Sequence, residues 1–209
     1  MIKTLIYYEP LILKMICIAL VSYIIGSIPT GYLIVKAFKH IDIRTIGSGS
    51  TGATNVKRVM GTKWFFAVML LDALKGVIPV YIAARYFDFL ACMGLSAVVA
   101  AICVIIGHSK SVFLKFTGGK SVATGVGTLL ALSWPVGLIT ALVWGAITYT
   151  SKYVSLGSVV AIALAPILMN MFNGNIYYTW FAALGAIFVI VRHKDNIKRL
   201  IAGTENKVR

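Results

Sequence analysis

Glycines, hydroxyls and cations are gathered into three short stretches of an otherwise apolar chain, residues 47–58, 107–121 and 192–199. The first holds Gly47, Ser48, Gly49, Thr54, Asn55 and Arg58. The second runs from His108 to Gly118, Gly119 and Lys120, and the third carries His193, Asn196 and Arg199. Glycine backbone presents N–H groups with little obstruction, and fixed cations stand beside them, which is what an anion needs from a protein. Brought to one membrane face, the three stretches would form a phosphate pocket at a lipid boundary.

Each stretch has a functional and a plain reading. In the first, the glycines permit a nest of N–H groups, Ser48 and Thr54 can donate hydroxyls, and Arg58 can fork onto a phosphate. Its plain reading is a flexible surface loop beside a helix end. The second is more specific. Gly118-Gly119-Lys120-Ser121 stands directly before an apolar helix, so N–H groups, a positive dipole end and an ammonium face one point. A nucleotide-binding P-loop also ends in Gly-Lys-Ser. It requires a further glycine where Leu114 stands and a preceding strand, so that reading fails. His108 reads as a loop residue or a hydrogen-bonded helix terminator ahead of a base, and Phe113 occupies the place of the acid that one large class of membrane acyltransferases uses. In the third stretch, His193, Asn196 and Arg199 share a helix face by i, i+3 spacing. Its plain reading is a basic juxtamembrane segment gripping anionic head groups. Ile197, Leu200 and Ile201 let this segment lie along the interface, with Gly203 ending it and Glu205 beyond.

Two further sets support these stretches. Asp72 and Lys75 stand three apart in an apolar run and are expected to pair and brace the site rather than touch substrate. Ser155 and Ser158 flank the start of a later apolar run. Ser158 can donate to a phosphate there, while an N-cap is the ordinary reading of Ser155.

The elements that position these residues are membrane helices. The chain has 209 residues, is 59% hydrophobic and 12% charged, and has a mean hydropathy of +0.90. No soluble domain hides that much apolar surface. Residues 1–209 read as a single transmembrane domain, with the first apolar run a retained helix rather than a cleaved signal. Cys17, Cys92 and Cys103 fall in apolar runs without metal-type spacing and read as small core residues, so no metal site is expected. The net charge of +14 lies between apolar runs, which favours anionic lipid or substrate over nucleic acid.

The apolar runs are 11–35, 64–84, 89–106, 122–149, 156–172 and 177–191, and Ser133-Trp134-Pro135 interrupts the fourth with a turn. Segment 36–63 has six Lys and Arg against one acid, 108–120 has three against none, and the tail from Arg192 has six against two. Excess cations mark cytoplasmic loops. The segments 85–88 and 173–175 carry no such excess and are expected outside. Parity then requires the fourth run to cross twice, giving an all-α protein of seven transmembrane helices, some short, with the N-terminus outside and the C-terminus in the cytoplasm. The half-run 122–132 is too short to span and must begin within the cytoplasmic boundary, where non-helical backbone lines a pocket.

Taken together, the polar stretches resemble the bacterial membrane family of acyl-phosphate:glycerol-3-phosphate acyltransferases. The resemblance begins with Gly26-Ser27-Ile28-Pro29, Gly47-Ser48-Gly49, Gly52-Ala53-Thr54-Asn55 and Arg58. It continues through Asp72-Ala73-Leu74-Lys75-Gly76, Gly107-His108, Phe116, Gly118-Gly119-Lys120 and Val122-Ala123-Thr124. It closes with Ser155-Leu156, His193, Asn196-Ile197, Arg199-Leu200, Gly203 and Glu205. Two positions depart from the family pattern. Ser50 stands where Asn is usual, and Ser121 where Gly is usual.

The resemblance implies transfer of a fatty acyl group from acyl phosphate to the 1-hydroxyl of glycerol 3-phosphate, giving lysophosphatidic acid and phosphate at the bacterial inner membrane. It implies no metal, no cofactor and no coenzyme A. Phosphate-binding roles fall on Ser48, Arg58, Gly118, Gly119, Lys120, Ser158 and Asn196, with His193 positioning the acceptor. No Ser/His/Asp arrangement is evident and no cysteine lies in the polar stretches, which disfavours a covalent acyl-enzyme. The competing class is a small anion transporter, which would show an internal repeat or matched broken helices; the sequence shows neither.

Overall fold

The structure is a computed structural model that describes residues 2–87 and 93–208, with side chains described from residue 11 onward. Among these the secondary structure is helical, apart from one isolated antiparallel bridge between Ser111 and Thr117. Asp88, the opening of the expected 89–106 run and Cys92 lie outside the described residues.

Helix α1 (Ile2–Ser27) breaks at Ile28-Pro29 and resumes as α2 (Thr30–Lys39). Proline restricts the residue before it and donates no N–H, so the helix interrupts there. A short α3 (Ala53–Met60) takes up the second half of the first polar stretch and turns at Gly61 (φ 90°) into α4 (Thr62–Tyr86). The second polar stretch connects α5 (Leu95–Ser109) to α6 (Val122–Leu132). Ser133 is extended, and α7 (Trp134–Ser151) begins with Pro135 in its first turn, where a missing N–H costs nothing. The long fourth run is therefore divided where Trp134-Pro135 indicated. Helices α8 (Val154–Phe172), α9 (Ile176–Arg192) and α10 (Lys194–Ile201) complete the chain, with α9 and α10 meeting at 61°.

By length and composition, Leu11–Lys39, Thr62–Tyr86 and Val154–Phe172 can each cross a membrane among the described residues, and the bent α9–α10 pair makes a fourth candidate. At 11 residues, α6 is about 16 Å long, half the hydrocarbon thickness.

Helix α1 lies along α5, α4 along α6, α7 against α8, and α8 against α9. Small residues permit the closest of these approaches. A side chain at Gly76 would strike the Thr124 carbonyl, and one at Gly127 would strike the Ala73 carbonyl, so α4 and α6 meet backbone to backbone. The main core joins Val80, Ala101, Val104, Leu129, Met169 and Phe181. Outside it, Leu20 (60% exposed), Leu70 (59%) and Leu184 (60%) face outward on separate helices, a surface whose solvent is lipid. Cys17 is exposed and Cys103 half-buried, so neither is the core residue that its apolar run suggested. A thiol facing acyl chains needs no protein core around it.

Candidate functional site

The first polar stretch is built around Asn55, whose residue is 1% exposed. Its Nδ2 donates to the carbonyls of Ile46 and Ser50 at 2.9 Å and of Ile43 at 3.3 Å, and its Oδ1 accepts the Ser48 N–H at 3.1 Å. Gly47 (φ +60°) and Gly49 (φ +66°) take the left-handed turns that wrap the chain around this amide. Asn55, a candidate phosphate-binding residue by its place in this stretch, is therefore the organiser of the loop instead, because its hydrogen-bonding groups are all occupied. Val35, Ile43, Val56 and Val68 pack beneath. Ser48 is exposed on the loop and Arg58 in the last turn of α3, while Thr54 in its first turn is half-buried. Among the described residues no hydrogen bond or ion pair occupies the Arg58 guanidinium, leaving its fork open.

The second stretch folds back on itself. The Ser111 N–H donates to the Thr117 carbonyl (3.2 Å), the Phe116 N–H donates to the Ser111 carbonyl (2.8 Å), and the Ser111 hydroxyl reaches the Ser27 carbonyl at 2.5 Å. This closes the loop over the break between α1 and α2. The Gly119 N–H donates to the His108 carbonyl at 3.1 Å, so it is not among the free donors the sequence placed there. The N–H groups of Gly118, Lys120 and Ser121 make no hydrogen bond among the described residues, and they sit at the start of α6. Ser121 holds φ +61°, the backbone region that glycine favours, which is the residue the resembled family carries here. Its hydroxyl compensates by bonding Ser109 (2.6 Å) and the Ile105 carbonyl (3.1 Å). The other departure, Ser50, accepts the Gly52 N–H at 3.3 Å.

The third stretch meets the second directly. The Lys120 ammonium donates to the Asn196 side-chain carbonyl. Asn196 in turn donates to Glu205 at 2.6 Å, and Glu205 also accepts from Ser155 (2.9 Å) and Arg199 (2.7 Å). Burial would raise the Glu205 carboxyl, but these bonds outweigh it and hold the group below the usual carboxylate range. Burial lowers Lys120, partly opposed by the charge of Glu205. Ser155 is not the N-cap of α8, a place held by Tyr153; its hydroxyl ties α8 to the tail instead. Ser158, expected to donate to phosphate, gives its hydrogen to the Val154 carbonyl at 2.8 Å and is 2% exposed. Deep in the first turns of α8, its nearest acceptor is its own helix.

His193 stands at the elbow of α9 and α10 and is 4% exposed. Its Nδ1 lies 2.8 Å from the Val189 carbonyl. A carbonyl only accepts, so Nδ1 carries the hydrogen and Nε2 presents a lone pair. Burial, with Lys120's charge as a smaller cause, pushes the imidazole down to about 4. It is a neutral acceptor near pH 7 and a weak base.

Beneath the loops lies a buried polar cluster. Asp72 forms an ion pair with Lys75 at 2.7 Å and accepts from Thr30 at 2.5 Å, and Lys75 also donates to the Ile28 carbonyl at 2.8 Å. This is the bracing pair that the spacing suggested. His108 lies 3.6 Å from Asp72 and 3.1 Å from the Thr124 hydroxyl through Nδ1, while its Nε2 edge faces the Gly119 Cα. With both nitrogens covered and 7% exposure, His108 is neither a loop residue nor an accessible base. Thr51 of the first stretch and Gly118 of the second line one crevice with Thr30, Asp72, Lys75 and His108. The first and second stretches thus meet over this cluster, and the second and third meet at Lys120 and Asn196.

Sequence reasoning placed Arg192 among the cations of the third stretch without a role, whereas its Nη2 donates to the Gly119 carbonyl at 3.1 Å; it also missed the parts of Thr30 and Thr124. Nothing in their spacing marks them. The signal lies in tertiary contact with backbone carbonyls and buried side chains.

Residues 16–203 match the sequence profile of the glycerol-3-phosphate acyltransferase family. A protein of that name from Trichormus variabilis is 44% identical over 204 residues, covering 91% of this chain and 90% of that one. One from Gloeobacter violaceus is 46% identical over 190 residues, covering 90% and 91%. Among solved structures, the chain is similar to PlsY (YgiH), an integral membrane glycerol 3-phosphate acyltransferase. In its glycerol 3-phosphate form the TM-score is 0.87 at 35% identity, covering 94% of this chain and 96% of that one. In its lysophosphatidic acid form the TM-score is 0.85 at the same identity and coverage. With the matched profile spanning most of the sequence, and the helices that carry the loops superposing on a membrane enzyme of the same name, this chain belongs to the glycerol-3-phosphate acyltransferase family.

Proposed function

We propose that the protein transfers a fatty acyl group from acyl phosphate to the 1-hydroxyl of glycerol 3-phosphate, at the cytoplasmic side of a bacterial inner membrane. The observation that carries the reading is the bond between Lys120 and Asn196, beside His193 and directly before the start of α6. It joins a cation and an amide from the second and third stretches, next to a neutral imidazole, while Arg58 keeps an open fork on the first.

Both substrates are anions, and acyl phosphate arrives activated. Two like charges about 5 Å apart repel by about 3 kcal/mol at an effective dielectric near 20, so fixed cations decide whether the complex forms. Arg58 and Lys120 neutralise that charge, with Ser48, Thr54 and the N–H groups of Gly118, Lys120 and Ser121 as further donors. The acceptor hydroxyl attacks the acyl carbon, and its oxygen forms the new ester bond. The bond from acyl carbon to phosphate oxygen breaks, and the electron pair leaves with phosphate, which also takes the hydroxyl proton. His193, through Nε2, orients the hydroxyl rather than deprotonating it, because an imidazole held to about 4 is too weak a base near pH 7. Glu205, Arg199 and Ser155 act on the site by fixing Asn196. The acyl chain lies between helices, in a groove open to lipid.

The test mixes detergent-purified protein with acyl phosphate and glycerol 3-phosphate. Phosphate release that requires both is the expected result. Release without the acceptor indicates a phosphatase, and no release with both excludes this reading.

A further inference from the structure

Gly119 is held from three sides. Its N–H is fixed by the His108 carbonyl at 3.1 Å. Its Cα lies against the His108 imidazole so closely that any side chain would strike Nε2. Its carbonyl accepts from Arg192 Nη2 at 3.1 Å. The first two contacts come from α5 and the third from the end of α9. His108 is itself fixed by Thr124 and stands beside the Asp72–Lys75 pair, so that side of the clamp is rigid. Arg192 supplies the opposing side.

The Arg192 guanidinium is held there at a cost. Its Nε is buried with no partner among the described residues, and an unmet buried donor is unfavourable. Lys120 follows Gly119 directly, and its ammonium must reach Asn196, four residues beyond Arg192. The end of α9 thus holds the loop backbone with Arg192, and α10, just past the elbow, receives the loop's cation with Asn196. A rigid two-point attachment of this kind sets where a charge sits before substrate arrives, and preorganised charge is the largest lever in a reaction whose leaving group gains negative charge.

We propose that Arg192 is a positioning residue for the acyl transfer: by clamping the Gly119 carbonyl against His108 it fixes the place of the Lys120 ammonium, without itself contacting substrate. The inference rests on the proposed transfer reaction, and the wild-type assay above tests that reaction separately from the variants below.

The experiment is a double-mutant cycle in purified protein, with kcat and KM for glycerol 3-phosphate and the melting temperature measured for each form. Arg192→Met removes the donor and is expected to lower kcat at least about tenfold, with KM within about threefold and little change in melting temperature. Arg192→Lys keeps one donor and is expected to lose only about threefold. In a Lys120→Ala background, Arg192→Met is expected to cost less than about twofold, since the group it positions is gone. The proposal is overturned by an unchanged kcat in Arg192→Met. A rise in KM alone, marking Arg192 as a direct phosphate ligand, overturns it as well, as does a full tenfold loss in the Lys120→Ala background. If Arg192→Met does not yield folded protein, Arg192→Lys carries the same cycle: its smaller loss must vanish without Lys120, and persistence of that loss overturns the clamp.

Discussion

At the scale of single residues, the proposed reaction uses two kinds of group: cations that would hold charge and a neutral imidazole that would direct a hydroxyl. Lys120→Ala and Arg58→Ala each remove a fixed cation from a reaction between anions, and each is expected to lower kcat/KM about a hundredfold or more while the protein still inserts. Normal turnover of either purified variant would contradict the cradle. His193 gives a pH signature with a definite sign. Its pKa falls from 6.5 in the unfolded chain to about 4 in the folded one, so between those values the unfolded chain binds more protons. Its contribution to stability is therefore complete above pH 6.5 and lost as pH falls toward 4. In His193→Gln this dependence is absent. The difference in melting temperature between wild type and variant should narrow from pH 7 to pH 4.5. The variant should be slower at pH 7 through lost orientation. A His193→Gln rate equal to wild type would remove the imidazole from the mechanism.

At the scale of elements, the site depends on short, closely packed helices. The start of α6 carries Lys120, and its depth is set by the contact with α4 at Gly76 and Gly127. Gly76→Val would press a branched side chain onto the Thr124 carbonyl and part the two helices. It should cost several kcal/mol of stability and lower the yield of folded protein, measured as the monodisperse fraction in detergent. A conservative change such as Ala131→Val, on the half-buried side of α6, should cost far less. Much of this level was legible from sequence. The break at Ser133 follows from Pro135, the pair Asp72–Lys75 from its spacing, and the elbow after α9 from the switch from apolar residues to Lys194-Asp195-Asn196. What was not legible was the direction of small polar side chains. Asn55 turns into its own loop, Ser158 into its own helix and Ser155 toward Glu205. Loop closure and helix back-bonding decide such choices locally, and sequence spacing does not record them. The part of Arg192 was hidden for a related reason, since its partner is a backbone carbonyl that every residue possesses.

At the scale of the whole molecule, the loop charges make a statement about sidedness. If the three basic stretches share the cytoplasmic face, a cysteine introduced near Lys198 and one near Gly174 must differ in reactivity toward an impermeant thiol reagent in intact cells. The Gly174 site should label and the Lys198 site should label only after permeabilisation, in a background with Cys17, Cys92 and Cys103 replaced. Equal labelling of both would break the seven-helix arrangement with its C-terminus inside. The charge count alone argues for that arrangement; by length and composition three described helices, or four with the bent pair, can cross. The contacts that complete the site are long-range: Lys120 to Asn196 and Ser155 to Glu205 span 76 and 50 positions.

The two ionic clusters also differ in when they can form. Asp72 and Lys75 lie one turn apart on the same helix, so that helix carries its own counter-ion and can enter the bilayer as soon as it leaves the ribosome. Lys120 has no such companion nearby. Its amide and carboxylate neighbours are Asn196 and Glu205, which are synthesised close to the end of translation. A nascent chain stalled after α8 would hold an inserted bundle and no competent anion site, so activity first emerges only when synthesis is nearly finished.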